Sequence, residues 1–279
     1  MNKEYLEKII NLALDEDLRD GGDITSKCVI SPDENVKFAV NAREDLILCC
    51  QPIAQYIFDR ECINYELLKK DGDSVKKGDN IIIGDAPSIK LLPVERVLLN
   101  FIQHLSGVAT ITRKFVEKLA ALDLNTVVRD TRKTTPGMRD LEKYAVSLGG
   151  GQSYRSSLSE KILIKDNHIV SCGGIANAVL KVRNHLDHPY IAVECDSFQQ
   201  LSEVVPLNIN MALLDNMTVN ELNKCVKFVR DKKLPIKLEA SGNINLDNVT
   251  DIAKTGVDYI SIGILTHSAP SKDIGIDIY

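Results

Sequence analysis

The sequence predicts an α/β protein whose larger part is a closed or nearly closed α/β barrel, and three observations carry that expectation. Six short apolar runs follow one another from residue 126 on, each ending in a polar or glycine-containing tip: T-V-V-R-D-T-R-K, I-L-I-K-D-N-H, I-A-V-E-C-D, M-A-L-L-D-N-M, I-K-L-E-A-S-G-N and Y-I-S-I-G. Helix-like segments separate the later runs: S-F-Q-Q-L-S-E-V-V, T-V-N-E-L-N-K-C-V-K-F-V and L-D-N-V-T-D-I-A-K. Strand and helix alternating through short loops means parallel pairing with crossovers. An open doubly wound sheet shares this pattern, but no G-x-G-x-x-G stands at a first strand–helix turn, which favours the barrel.

Ahead of the barrel the pattern is mixed. Leu6, Ile9, Ile10, Ala13 and Leu14 recur at helical spacing, so an amphipathic helix is expected over residues 4–14, and D-G-G-D-I-T-S breaks it. Residues 36–92 read as short strands and turns: V-K-F-A-V-N-A, L-I-L-C-C, and the turn-rich K-K-D-G-D-S-V-K-K-G-D-N before I-I-I-G. Pro93 stands where a helix can begin, and Val97, Leu98, Phe101, Ile102, Leu105 and Val108 share one face of a long connecting helix reaching to about residue 120.

Composition narrows the class. The chain has 279 residues, of which 44% are hydrophobic and 26% charged, ordinary values for a globular protein with a full core. No apolar run approaches the roughly 18 residues of a membrane span, and M-N-K-E-Y-L-E-K-I-I carries charges where a signal peptide is apolar, so a cytosolic protein is expected. Seven cysteines form no C-x-x-C pair and are odd in number, which argues against a disulfide framework or zinc site and for buried thiols in a reducing compartment. A formal net charge of −5 argues against nonspecific nucleic-acid binding. An anionic ligand would therefore need a local cluster of cations.

Such a cluster exists. From Arg129 to Lys165 there are eight cations (Arg129, Arg132, Lys133, Arg139, Lys143, Arg155, Lys161, Lys165) against four acids (Asp130, Asp140, Glu142, Glu160). Arg139 and Lys143, four apart in a helical stretch, fit a solvated face with surface ion pairs. Arg132, Lys133 and Lys165 do not, because they stand at strand ends, where barrel enzymes place their active sites and where arginine forks can grip carboxylate or phosphate. Glu194 and Asp215 also follow apolar strands and need a cation or a metal as partner. They suit either a structural network with Lys133 and Lys165 or stabilisation of a cationic transition state and Mg²⁺ on a ribose phosphate. Ser241, Gly242 and Asn243, with Gly263, follow the last two strands, where such barrels often hold phosphate. Gly149–Gly151 offers a close-approach loop before Arg155. His104 and His168 lack metal-ligand spacing and are expected to pack or hydrogen-bond.

The strings R-D-T-R-K-T-T-P-G-M-R-D-L-E-K-Y-A-V-S-L-G-G-G, L-I-K-D-N-H, V-E-C-D-S, L-L-D-N-M, L-E-A-S-G-N-I and G-V-D-Y-I-S-I-G, with E-D-L-R-D-G-G-D-I-T-S and V-E-R-V-L-L-N-F-I-Q-H-L-S-G-V-A-T upstream, closely resemble the quinolinate phosphoribosyltransferases. The resemblance implies a partly open, TIM-like α/β barrel over residues 109–267. It also implies a smaller amino-terminal α/β sandwich domain over residues 1–108, joined by the tail 268–279. The implied reaction transfers phosphoribosyl from phosphoribosyl pyrophosphate to quinolinate with decarboxylation, giving nicotinate mononucleotide, CO₂ and pyrophosphate, with Mg²⁺ accompanying the donor and no organic cofactor. A homodimer with shared active sites is implied too, Arg96 reaching into the partner's site. Arg132 and Arg155 would grip the dicarboxylate, and Lys133 and Lys165 would surround both substrates. Thr131 belongs to the same substrate-binding segment. Glu194 and Asp215 match the ribose- and metal-side acids, and Ser241–Asn243 and Ile262–Ile264 the phosphate loops. One departure stands out: where the family usually reads G-G-G-x-N-H-R, this chain reads G-G-G-Q-S-Y-R, so Tyr154 takes the place of a histidine. A phenol donates one hydrogen bond but stays uncharged near neutral pH, so a change in pyridine specificity is one expectation and retained activity the other. A transferase for another pyridine, a catalytically silent copy and a phosphosugar isomerase are the rival readings.

Overall fold

The structure, a computed structural model, describes residues 2–279. In chain order its elements begin with α1 (Lys3–Leu18), α2 (Ile24–Val29), β1 (Asn35–Ala42), β2 (Leu46–Ile47), α3 (Gln51–Glu61), β3 (Asn64–Leu67), β4 (Ser74–Val75), β5 (Asn80–Pro87) and α4 (Ser88–Ala120). There follow β6 (Val127–Arg129), α5 (Arg139–Leu148), β7 (Ile162–Ile164), α6 (Asp166–Cys172), α7 (Ile175–His185), β8 (Ile191–Cys195) and α8 (Phe198–Val204). The last are β9 (Met211–Asp215), α9 (Val219–Asp231), β10 (Lys237–Ser241), α10 (Val249–Lys254), β11 (Tyr259–Ser261), α11 (Ile264–His267) and β12 (Ile274–Ile278).

These elements form two compact units. One comprises the chain up to Arg113 together with Thr135–Gly150 and Ala269–Tyr279; the other comprises Lys114–Thr134 and Gly151–Ser268. The division differs from a single cut at residue 108 mainly in the excursion that carries α5. Polar contacts explain where α5 belongs. Asp71 Oδ1 accepts the backbone N–H groups of Cys50 and Gln51 at the start of α3, and its Oδ2 accepts the Tyr144 hydroxyl of α5 at 2.9 Å. Glu142, fully buried, lies 2.9 Å from His104 Nε2 on α4 and accepts the Thr135 N–H at 3.1 Å. A buried carboxylate without such partners would cost several kcal/mol, so these bonds fix the helix.

The core of the first unit is an antiparallel sheet in the order β12-β1-β5-β3, with Val40 opposite both Ile276 and Ile82. Phe38 of β1 is fully buried, and its ring centroid lies 5.6 Å from that of Phe58 on α3. Gly84 is required beside it, because a Cβ there would come within 2.6 Å of the Phe38 ring. Four readings of this half need correction. Residues 51–61 form α3 rather than strand and turn: Pro52 sits in the first turn, and Ile53, Ala54, Ile57 and Phe58 make one buried face. D-G-G-D-I-T-S is not only a break, since Asp23 caps α2 by accepting the Ser26 N–H at 2.9 Å. The long helix begins at Ser88, with Pro93 inside it. Lys143 is no solvated cation but is 5% exposed, on a helix whose buried face includes Leu141 and Val146. Burial of the thiols holds for Cys49, Cys50, Cys195 and Cys225, whereas Cys28 and Cys62 are exposed.

The second unit is built on a six-stranded parallel sheet ordered β6-β11-β10-β9-β8-β7. The runs of Val, Ile, Leu and Ala predicted as strands are buried on both faces, as parallel strands covered by helices must be: Ala192, Val193, Leu214, Leu238 and Ile260 are almost inaccessible. The sheet is a partly open barrel with β6 and β7 at its edges. Its curvature shows in Arg129 of β6, whose Nη1 reaches Met211 Sδ on β9 at 3.7 Å, three strands away in the order. Beyond β6 the stretch around Gln152 adds a short parallel bridge through Gln152 N–H to the Val128 carbonyl (2.8 Å) and Asp130 N–H to the Gln152 carbonyl (3.3 Å). At the amino-terminal end Asp258 accepts bonds from Leu238 N–H, Lys237 Nζ (both 2.8 Å) and Arg230 Nη2 (2.7 Å). Among the described residues no helix is long and apolar enough to cross a membrane.

Candidate active site

Parallel strands deliver their carboxyl-terminal residues to one end of the sheet, so the six tips of the second unit are brought together by topology alone. They surround a cavity of about 820 Å³. Of the residues singled out in the sequence, Thr131, Arg132, Lys133, Arg155, Lys165, Glu194, Asp215, Ser241, Gly242, Asn243, Gly263 and Ile264 all line it. Two do not. Ile262 is 1% exposed and contributes its N–H to the Arg129 carbonyl at 2.9 Å. Arg96 lines a separate cleft of about 260 Å³ within the first unit, next to Arg43 and Glu95.

Local bonding sets each tip. After β6, the Lys133 N–H donates to Thr131 Oγ1 (3.0 Å) and the Lys133 carbonyl accepts the Thr266 hydroxyl (2.7 Å). Gly263 leaves room for this, because a Cβ there would stand 3.2 Å from Lys133 Cδ and 3.1 Å from the His267 ring. After β7, the Lys165 N–H donates to His168 Nδ1 at 3.0 Å, which explains that histidine as a hydrogen-bonding one, and Lys165 Nζ pairs with Glu194 Oε2 at 3.0 Å. Asp215 Oδ2 accepts Asn216 Nδ2 at 2.6 Å, and Asn216 Oδ1 accepts Asn243 Nδ2 at 3.2 Å. The turn through Gly242 has φ +96°, and a Cβ there would collide with Asn216, so only glycine fits.

The cations face the cavity with few protein partners. Arg155 is 8% exposed and donates through Nη1 to the Lys161 carbonyl at 3.3 Å. Burial first, then the neighbouring Arg132 cation, lowers its pKa from the usual guanidinium value. Arg132 Nε is buried with no hydrogen-bond partner. A buried guanidinium disfavoured by its neighbour, beside a second one with an unpartnered Nε, makes a site that an anion with two negative groups would relieve.

The sequence alone gives no distinct site role to Glu239 or Ser261, which line the cavity, or to Arg129, which pairs with Glu239 without lining it. Glu239 is 1% exposed; its Oε2 accepts Arg129 Nη1 at 2.9 Å, and its Oε1 accepts the Ser261 hydroxyl. Burial raises its pKa, against the opposing effects of Ser261 and Arg129. A signal was available: Glu239 lies two residues before Ser241 on one strand, hence on the same face. Tyr154 also lines the cavity, with its hydroxyl buried and unpartnered. Its ring centroid is 4.6 Å from Arg129 Cζ and 4.4 Å from Lys161 Nζ, and burial followed by the nearby Tyr190 raises its pKa, so the phenol stays neutral. An uncharged π face suits two cations, whereas an imidazolium would repel them.

Known proteins share this fold and much of this sequence. The family model described as "Quinolinate phosphoribosyl transferase, C-terminal domain" matches residues 108–277, and its N-terminal counterpart matches residues 23–106. A probable nicotinate-nucleotide pyrophosphorylase [carboxylating] of Bacillus subtilis (strain 168) is 40% identical over 281 residues, covering 100% of this chain and 95% of that protein. The crystal structure of a nicotinate-nucleotide pyrophosphorylase from Ehrlichia chaffeensis superposes with a TM-score of 0.94 at 49% identity, covering 98% of each chain. That from Francisella tularensis gives 0.93 at 33% identity, covering 100% of this chain and 98% of the other. Two domain models matched in order along nearly the whole chain, and relatives of this identity over full length, show that the chain belongs to the quinolinate phosphoribosyltransferase family.

Proposed function

We propose that this cavity joins quinolinate to the phosphoribosyl group of phosphoribosyl pyrophosphate, making the chain a pentosyltransferase of pyridine nucleotide and NAD biosynthesis. The observation that supports this most directly is the meeting of Arg132, Lys133, Arg155 and Lys165 in one cavity of a chain with formal net charge −5. The pyridine nitrogen forms a bond to the anomeric carbon as the bond from that carbon to pyrophosphate oxygen breaks. The carboxylate next to the ring nitrogen then leaves as CO₂, its bonding electrons remain on the ring carbon beside the positive nitrogen, and a proton from solvent completes nicotinate mononucleotide. "Carboxylating" in the relatives' names describes the same reaction in reverse.

Arg155 and Arg132 grip the two carboxylates. Lys133 and Lys165 stabilise negative charge growing on the departing pyrophosphate, which fixed charges in a desolvated site do without a proton-transfer residue. Thr131 orients the Lys133 backbone. Glu194 and Asp215 lie on the ribose side and balance the cationic anomeric centre, and the turns at Ser241–Asn243 and Gly263–Ile264 receive the phosphate. The donor would carry Mg²⁺, beside which Glu194 and Asp215 would stand. Hard carboxylate oxygens suit it, and Glu194 and Asp215, which both line the cavity, are the residues that would hold it. Bound there, it would neutralise pyrophosphate charge. A homodimer in which Arg96 serves the neighbouring copy's cavity accounts for an arginine placed outside its own, and the reducing cytosol suits seven free thiols.

The test is an assay of nicotinate mononucleotide formation from quinolinate, phosphoribosyl pyrophosphate and Mg²⁺, run beside nicotinate and other pyridine monocarboxylates. Turnover with the 2,3-dicarboxylate above the others is expected. Absence of product, with no heat of quinolinate binding in calorimetry, would reject the reading.

A further inference from the structure

Arg129 does not line the cavity but pairs with Glu239, which does, and the proposed reaction assigns it no contact with either substrate. Its side chain is 7% exposed. Nε donates to Gln152 Oε1 at 2.8 Å, Nη1 donates to Glu239 Oε2 at 2.9 Å, and Cζ lies 3.1 Å from the Tyr259 ring centroid and 4.6 Å from that of Tyr154. One planar group therefore ties β10 and β11 to the stretch running from Gln152 to Tyr154.

That stretch is the free edge of the barrel. Its bonds to the end of β6 include two backbone hydrogen bonds of an isolated bridge and the Tyr154 N–H on Asp130 Oδ1 at 3.3 Å, and it leads directly into Arg155. So short a ladder at a sheet edge is the part of a fold most prone to open locally. Lys161 approaches the same Tyr154 ring, and its carbonyl accepts from the Arg155 guanidinium.

We propose that Arg129 is a positioning residue: through the Gln152 amide and the Tyr154 ring it braces the barrel edge and so sets Arg155 where the dicarboxylate meets it. The proposal rests on the reading of Arg155 given above. A guanidinium is suited to the task because its fork directs two hydrogen bonds outward while its face stacks on rings; an ammonium can do neither in that geometry.

Gln152→Ala removes one arm of the brace from an exposed residue, so its folding is not in question. The quinolinate KM is expected to rise about fivefold to tenfold, the typical effect of one hydrogen bond to a charged group acting indirectly, with kcat and the phosphoribosyl pyrophosphate KM within about twofold of wild type. Gln152→Glu keeps an acceptor for Nε and is expected to restore the quinolinate KM. Arg129→Lys is expected to raise it more, and the double variant Arg129→Lys/Gln152→Ala no further than Arg129→Lys alone, because both act through one bond. Hydrogen exchange followed by mass spectrometry gives a readout independent of activity: faster exchange confined to residues 151–158 is expected in Gln152→Ala. Equal shifts in both substrates' KM, an unchanged quinolinate KM, additive effects in the double variant, or unchanged exchange in that segment would each overturn the brace. Should Arg129→Lys fail to fold, Gln152→Ala decides alone. Should the wild type not use quinolinate, the reaction assigned above fails while the exchange measurement still tests the brace.

Discussion

The two ends of the parallel sheet are made from similar residues and are put to opposite uses. At the amino-terminal end Asp258 is met by the Leu238 N–H, Lys237 and Arg230, so its oxygens are answered by protein donors. At the carboxyl-terminal end Arg132 Nε and the Tyr154 hydroxyl are buried without a partner, and Arg155 is crowded by Arg132. Buried polar groups left unsatisfied cost roughly 1–3 kcal/mol each, so the carboxyl-terminal end gives up stability that the amino-terminal end keeps. Barrel folds as a class divide stability and chemistry between their two ends in this way. Substitutions at one end should therefore change activity and leave stability alone, and those at the other should do the reverse.

The largest expected effect is at Lys133, which is exposed at its tip and whose backbone, not its side chain, is fixed by Thr131 and Thr266. Lys133→Ala should lower kcat about a hundredfold, close to 3 kcal/mol for one lost charge contact in a desolvated site, with a smaller rise in either KM. The melting temperature should stay within about 2 °C of wild type. Steady-state kinetics and thermal denaturation of the same preparation check both halves. A stability loss as large as the kinetic one would erase the distinction between the two ends.

Next in size is Arg155→Ala. Loss of a forked carboxylate contact should raise the quinolinate KM about 30-fold, near 2 kcal/mol, leaving the KM for phosphoribosyl pyrophosphate almost unmoved. Because burial and Arg132 already disfavour this cation, removing it relieves Arg132 and should not destabilise the unliganded protein. An unchanged quinolinate KM would reject the assigned contact.

The sheet's two ends also differ in how much of them the sequence discloses. Each tip at the carboxyl-terminal end closes an apolar run, and a run of Val, Ile and Leu followed by a charged residue is legible because parallel strands are buried on both faces. Convergence of Lys133, Lys165, Glu194 and Asp215 then follows from topology without knowing a single rotamer. The buried pair of Arg129 and Glu239 is harder to read. Arg129 closes β6 and Glu239 stands inside β10, and nothing in their neighbours tells a buried ion pair across the two strands from two surface charges. In the first unit the long-range bonds Asp71–Tyr144 and His104–Glu142 link residues 73 and 38 positions apart, which no local periodicity encodes. Helix α3 was read as strand and turn because L-I-L-C-C runs into Q-P-I-A-Q-Y-I-F without polar punctuation, although Pro52 marks the first turn of a helix.

The smallest effect, and the one that tests the amino-terminal end, belongs to Asp258. Burial alone would raise its pKa, but hydrogen bonds from Lys237, the Leu238 N–H and Arg230 outweigh burial and leave the pKa below the usual aspartate value. A carboxyl group depressed in the folded state contributes stability that is fully present above its unfolded pKa of about 4 and is lost as pH falls through the folded value. Asp258→Asn should therefore destabilise the protein by about 1 kcal/mol at pH 7, a modest figure because the Lys237 and Arg230 side chains are about half exposed and screened by solvent. Urea denaturation at a series of pH values should show that difference shrinking as the wild-type carboxylate takes up its proton, and both KM values should match wild type throughout. A variant with wild-type stability at pH 7 and impaired turnover would place chemistry at the end of the sheet where these contacts place only structure.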